Sequence, residues 1–395
     1  MQKSGSARLG DLKVMTVVGT RPEAIKMAPV IKALGRARGT HPLIVVTAQH
    51  REMVDQMLRI FSIRPDYDLD VMSPRQTLFQ TTSRVLLGLE KVIREEAPDL
   101  VLVQGDTTST FAGALAAGYS RIPVGHVEAG LRTGCRMNPY PEEINRRLTS
   151  VLTDLHFAPT RAAVLALKKE GVRPRDIVKT GNTVIDALLD TARRARRESV
   201  VGLPRMQPAG KMILVTAHRR ESWGAKLRDV CRALRDIVAE EPNAEVVFPV
   251  HLNPAVQETV RPELDGVNRV HLIDPQNYEG FVYLMKRCNL IITDSGGIQE
   301  EAPSLGKPVL VIREVTERPE AVEAGTALLV GTSRQKIRNA ALELLRSKSA
   351  YRAMVRKRNP YGDGRAAERI VRAILRRFAA PPQRRVSRGG GSHGG

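Results

Sequence analysis

Short β-branched runs alternate with longer stretches of helical periodicity along almost the whole chain, and this constrains the fold more than any other feature. Lys13–Gly19 reads as a strand, Pro22–Arg38 as a helix and Pro42–Ala48 as the next strand. Asp99–Gln104, Ile122–Val127 and Leu155–Ala158 continue the series with helical segments between them. Such a rhythm predicts α/β architecture, a parallel sheet wound on both faces by helices. It breaks at GLPRMQPAG (residues 202–210), where two Gly and two Pro fall within nine residues. A second series follows: Lys211–Thr216, Glu245–Val250, Arg269–Ile273, Leu290–Thr293 and Pro308–Ile312. The expectation is two doubly wound domains, 13–203 and 204–363, around a central cleft. A helix at 364–380 should pack back on the first domain. Residues 1–12 and the basic, Gly-rich 381–395 are expected to be disordered.

Composition excludes several classes. The chain has 395 residues, 42% of them apolar and 26% charged, as expected of a globular protein. No run of about 18 apolar residues spans a membrane, and the N-terminal stretch has no apolar signal region. Cys135, Cys231 and Cys288 lack CxxC spacing and read as reduced thiols in a cytoplasmic protein. The net charge of +20 points at polyanions, but residues 330–395 carry 17 basic and 3 acidic residues and so hold +14 of it. That stretch lacks the interleaved aromatics that stack bases, and neither nucleic acid nor membrane is the expected partner.

Chemistry-bearing residues collect at strand ends. Arg21 and Lys26 lie in GTRPEAIK at the start of a helix, where backbone N–H groups already favour an anion. No GxGxxG accompanies them, so no dinucleotide fingerprint is present. Asp106, Glu128 and Glu142 stand at successive junctions, and together they resemble an acid/base set. Singly, Asp106 reads as a helix N-cap and Glu142 as dipole complementation in a first turn. In the second half, His218 and His251 end two strands. The Ser295-Gly296-Gly297 turn brings backbone N–H groups within reach of a phosphate, with Glu301 one turn on and Arg318 as a further anion clamp.

The runs GTRPEAIKMAPV (19–30), TAQHREM (47–53), GDTTST (105–110), PVGHVEAGLRTG (123–134), PEEINRR (141–147), TGNTVIDALL (180–189), VTAHRRES (215–222), PVHLNP (249–254), TDSGGIQEEAPSLGKPVLV (293–311) and TERPEAVEAGT (316–326) resemble the bacterial non-hydrolysing UDP-N-acetylglucosamine 2-epimerases. The likeness runs in order from about Lys13 to Arg377. It implies two Rossmann-like domains of the B-type glycosyltransferase architecture, a homodimer, and chemistry without nicotinamide or metal. It further implies removal of the sugar C2 proton with expulsion of UDP to a 2-acetamidoglucal, then re-addition. In that scheme Asp106, Glu128 and Glu142 are the acids, and Arg21, Lys26 and His218 surround the phosphates and sugar. Ser295, Gly296, Gly297 and Glu301 hold UDP, with His251 and Arg318 nearby. Gln49, Arg75 and Arg219 match an allosteric UDP-N-acetylglucosamine site. Met137-Asn138 and the tail after Phe378 depart from the family pattern. A hydrolysing epimerase and a B-type glycosyltransferase are the competing expectations.

Overall fold

The apolar runs of each half assemble into one all-parallel sheet, in a computed structural model that describes residues 11–47, 51–73, 75–207 and 210–378. The first sheet contains β1 (Leu12–Val18), β2 (Thr40–Val46), β3 (Tyr67–Asp68), β4 (Leu100–Gln104), β5 (Val124–Val127), β6 (Leu155–Ala158) and β7 (Ile177–Lys179). Their order is β3-β2-β1-β4-β5-β6-β7. The second contains β8 (Lys211–Thr216), β9 (Ala244–Pro249), β10 (Val270–Ile273), β11 (Leu290–Thr293), β12 (Val309–Val311) and β13 (Ala327–Leu329), ordered β10-β9-β8-β11-β12-β13. Strands β4, β5, β6 and β11 are buried at every residue, as parallel strands covered on both faces must be.

Three strands lie outside the sequence reading: β3, β7 and β13. Each has two or three residues at a sheet edge, too few to show a period of two. The final helix runs Ala366–Phe378 within the described residues, against an expected start at 364.

In each sheet the strand order reverses beside one strand, β1 in the first and β8 in the second. The chain leaves neighbouring strands in opposite directions there and opens a crevice at their carboxyl ends. The loops after β1 and β4, and after β8 and β11, carry several of the residues discussed below, and the loops after β5, β7, β9 and β12 carry others. The Ala366–Phe378 helix buries Ala366, Ala367, Ile370, Val371 and Ile374. It packs on the Arg21–Arg36 and Thr183–Arg194 helices of the first sheet. Asp186 accepts its first N–H groups, Ala366 at 3.1 Å and Ala367 at 2.9 Å. The chain therefore crosses back over the cleft after completing the second sheet. No helix among the described residues is long and apolar enough to cross a membrane.

His126 and His156 are register partners on β5 and β6, each 1% exposed. His126 Nε2 lies 2.7 Å from the Gly105 carbonyl. Burial lowers both imidazoles to about 4, and repulsion from His126 adds to the effect on His156. An unfolded histidine titrates near 6.5, so the unfolded chain gains protons that the native state refuses as pH falls from 6.5 toward 4. Native stability should therefore decline across that window, by roughly 3 kcal/mol per histidine when complete. Melting temperatures from pH 7.5 to 4 check this; His156→Gln should flatten the decline, and an unchanged slope would contradict the assignment.

Candidate active site

The first anchor is Glu23, in the opening turn of the Arg21–Arg36 helix. Its carboxylate turns back to accept the N–H groups of Gly19 at 2.5 Å and Thr20 at 2.8 Å, the reciprocal arm of a capping box. It also accepts the hydroxyls of Thr107 and Thr110. The loop after β1 is thereby tied to the loop after β4. Burial pushes the Glu23 carboxyl up, against the pull of those four donors.

Glu128 follows β5 with φ of +66°, a left-handed conformation that is costly for a residue with a Cβ. Its partners hold it there. Lys26 Nζ lies 2.7 and 2.6 Å from its two oxygens, Asn182 Nδ2 donates at 3.1 Å, and Gln104 Nε2 donates as well. Asn182 Nδ2 also donates to Glu300 at 2.7 Å, and Glu300 accepts from Arg318. Burial alone would raise the Glu128 pKa, but Lys26, then Arg318 and Asn182, bring it below the ordinary carboxylate value. Burial likewise opposes the charge on Lys26, yet Glu128 and Glu300 raise its pKa on balance. The pair is thus ionised on both sides.

Asp106 is not the helix cap that its position suggested. Thr107 caps the Thr108–Tyr119 helix, its hydroxyl accepting the Thr110 N–H at 3.2 Å. The Asp106 carboxylate instead takes Arg146 Nε at 2.9 Å and Nη2 at 2.6 Å, and its carbonyl takes Asn145 at 2.9 Å. Glu142 opens the Glu142–Leu152 helix, and its Oε2 is buried without a hydrogen-bond partner among the described residues. A Cβ at Gly105 would lie 3.9 Å from Glu128 Oε2, so the Asp106 loop abuts Glu128.

In the second domain Asp294 accepts the backbone N–H groups of His218 at 2.7 Å and Arg219 at 2.8 Å, and His218 Nδ1 lies 3.1 Å from its other oxygen. Asp294 stays below its ordinary pKa despite burial, chiefly because of His218. The His218 ring stacks on His251 at 6.0 Å between centroids. Ser295 departs from expectation, because its backbone N–H is taken by Thr293 Oγ1 at 2.9 Å. The remaining donors are its hydroxyl and the N–H groups of Gly296 and Gly297, the first two residues of a helix, which lack intrahelical acceptors. Any side chain at Gly296 would approach Arg219 Nη2 and Arg318 Cγ to 3.9 Å, so two guanidinium groups flank this turn.

Glu301 ends the same short helix, with Oε2 buried and unpartnered among the described residues. Burial and then Glu300 push its carboxyl up to about 8, against the pull of Lys26 and Arg21. Two cations of the first domain therefore act on an acid of the second, across the cleft. Of the three positions assigned to a second ligand, Gln49 lies outside the described residues. Arg75 is exposed ahead of the Leu78–Glu96 helix, and Arg219 pairs with Glu317 at 3.5 Å in the second domain. The sequence reading missed Gln104, Arg146, Asn182, Asp294 and Glu300. Arg146, Asn182, Asp294 and Glu300 stand inside the motif runs quoted above and Gln104 immediately before one, and their proximity to one another is purely tertiary.

Residues 32–375 match the family described as UDP-N-acetylglucosamine 2-epimerase. A UDP-N-acetylglucosamine 2-epimerase of Escherichia coli K12 is 54% identical over 369 residues, covering 92% of this chain and 98% of its own. The crystal structure of UDP-GlcNAc 2-epimerase from Neisseria meningitidis bound to UDP-GlcNAc superposes with a TM-score of 0.83 at 48% identity, over 92% of this chain and 100% of that one. The glycotransferase of kitacinnamycin, at 14% identity and a TM-score of 0.61 over 92% of this chain and 99% of its own, shares the fold alone.

Proposed function

The chain belongs to the UDP-N-acetylglucosamine 2-epimerase family, and from that premise we propose that it interconverts UDP-N-acetylglucosamine and UDP-N-acetylmannosamine without hydrolysing either. The observation that carries this reading is the facing of two sets of groups across one crevice. Asp106 paired with Arg146 and Glu128 paired with Lys26 stand on the first domain, and a turn with N–H donors to spare, flanked by Arg219 and Arg318, stands on the second.

No carbonyl lies beside the sugar C2, so its proton is too weakly acidic for direct exchange. A carboxylate removes it while the C1–O bond breaks, the electron pair leaving on the β-phosphate oxygen of UDP and a C1=C2 bond forming. The oxygen of UDP then adds back to C1, and a second acid delivers a proton to the opposite face of C2. Asp106, Glu128 and Glu142 are the acids in this scheme. Arg21, Lys26 and His218 meet the charge that develops on the departing diphosphate. Gly296, Gly297 and the Ser295 hydroxyl hold the phosphates, with His251 and Arg318 beside them, and Glu301 accepts the ribose diol. A second UDP-N-acetylglucosamine at Arg75 and Arg219 would act allosterically. The product would feed N-acetylmannosamine-type sugars to surface polysaccharide. The three unpaired cysteines accord with a cytoplasmic setting.

A homodimer is part of the same reading. Phe79, Tyr119 and Val151 are 87%, 75% and 84% exposed on three successively packed helices, and a partner chain seated on this helix layer would cover them. Light scattering should give twice the 43.6 kDa chain mass, and Phe79→Glu with Val151→Glu should return it to the monomer mass. A native monomer would remove this element.

Turnover in D2O with no acceptor should place deuterium at C2 and leave the UDP-sugar intact. Accumulation of free N-acetylmannosamine would favour the hydrolysing type, and a need for an acceptor would favour glycosyl transfer. Glu128→Gln and Asp106→Asn should each lower kcat by on the order of 100-fold or more while retaining UDP binding. Glu301→Ala should weaken UDP roughly tenfold, on the scale of one lost buried hydrogen bond.

A further inference from the structure

Asn182 belongs to the TGNTVIDALL run, to which the proposed chemistry gives no task, yet it is 3% exposed at the centre of the site. It stands after β7, and its backbone is fixed from the far side of the cleft. Its N–H donates to the Tyr361 carbonyl at 2.7 Å. The adjoining Gly181, with φ of +88°, is packed so closely that a Cβ would meet the Tyr361 oxygen and Gly362 Cα at 3.3 Å.

The two ends of the Asn182 amide have separate work. Oδ1 accepts the Val184 N–H at 3.1 Å and caps the Thr183–Arg194 helix. That bond fixes the amide orientation, so the NH2 group must point away from the helix. It points at two carboxylates on opposite domains, Glu128 Oε1 at 3.1 Å and Glu300 Oε2 at 2.7 Å. The outer ends of this bridge are cationic, Lys26 on Glu128 and Arg318 on Glu300. The sequence of groups is therefore cation, carboxylate, neutral amide, carboxylate, cation, with no net charge. Glu300 is itself seated by the second crossing, since Asn359 Nδ2 donates to its carbonyl at 2.6 Å and to Ser304 Oγ at 2.7 Å.

We propose that Asn182 is a positioning residue for Glu128, its amide tying the Glu128 carboxylate to Glu300 so that Glu128 is aligned when the second domain is seated against the first. The inference rests on the reading that Glu128 acts on the sugar. A helix cap alone needs only Oδ1, and Ser or Asp would serve that need equally. Neither supplies an amide donor to the two carboxylates. Serine is too short to span them, and aspartate would put a third carboxylate between two.

The test compares Asn182→Ser and Asn182→Asp with the parent enzyme in the acceptor-free epimerisation assay, with melting temperature and UDP dissociation constant measured on the same samples. Asn182→Ser should keep its melting temperature within a few degrees and its UDP affinity within about threefold, while kcat falls roughly 10–100-fold. Asn182→Asp should lose more activity than Asn182→Ser. With Glu300→Gln, the Asn182→Ser loss should be less than the product of the two single losses, because both break one bridge. Native kcat in Asn182→Ser, with Glu128→Gln inactive, overturns the inference and leaves the proposed chemistry standing. Native activity in Glu128→Gln overturns both. A loss of kcat that follows the melting temperature across the variants assigns Asn182 to the helix cap alone.

Discussion

Two buried carboxylates, Glu128 on one domain and Glu300 on the other, share a single amide, and the remaining geometry of the cleft depends on that arrangement. Neither charge is tolerable in a dry interior alone, because desolvation of an unpaired carboxylate costs several kcal/mol. Lys26 and Arg318 supply the compensating charge from opposite sides, and Gln104 and Asn182 satisfy the remaining oxygen lone pairs. The same contacts keep Glu128 in its left-handed backbone conformation and keep Lys26 protonated beside Glu128 and Glu300.

The fold explains why these groups can meet. Both parallel sheets reverse strand order at their first strand, and each reversal opens a crevice at the carboxyl edge. Glu23 joins the β1 and β4 loops of the first crevice through backbone and hydroxyl donors. Asp294 does the equivalent work in the second, holding the N–H groups of His218 and Arg219. With each half braced internally, the Ala366–Phe378 helix and the Asn359–Tyr361 crossing bring the two edges together. An open groove of about 1090 Å3 remains between the domains, lined by Thr160, Lys179, Glu320 and Asn359.

Legibility in the sequence followed contact range. Strands of four residues or more were readable because apolar runs and flanking glycines are local signals. Edge strands such as β3 and β7 were not, since their existence depends on a neighbour to pair with. Asp106 was selected as one of three acids, but sequence position alone could not separate that reading from a helix cap; Thr107 caps the helix, and Arg146, 40 residues on, decides where the Asp106 carboxylate goes. Glu128 was selected as one of three acids at successive strand ends. Its partners Lys26 and Asn182 lie 102 and 54 residues away, and no local pattern links them. Ser295 stood correctly at the turn, but the loss of its N–H to Thr293 is a two-residue geometry that composition does not reveal.

The account stands or falls on whether Lys26 and Glu128 act as a compensated buried pair. A double-mutant cycle on unfolding stability measures this directly, with Lys26→Met, Glu128→Gln and the combination. Removing one partner strands a charge at a cost of about 3–5 kcal/mol, whereas removing both strands none on that bond. The account predicts a double variant more stable than either single variant. Additive losses would show that the two side chains are held independently, and would contradict it.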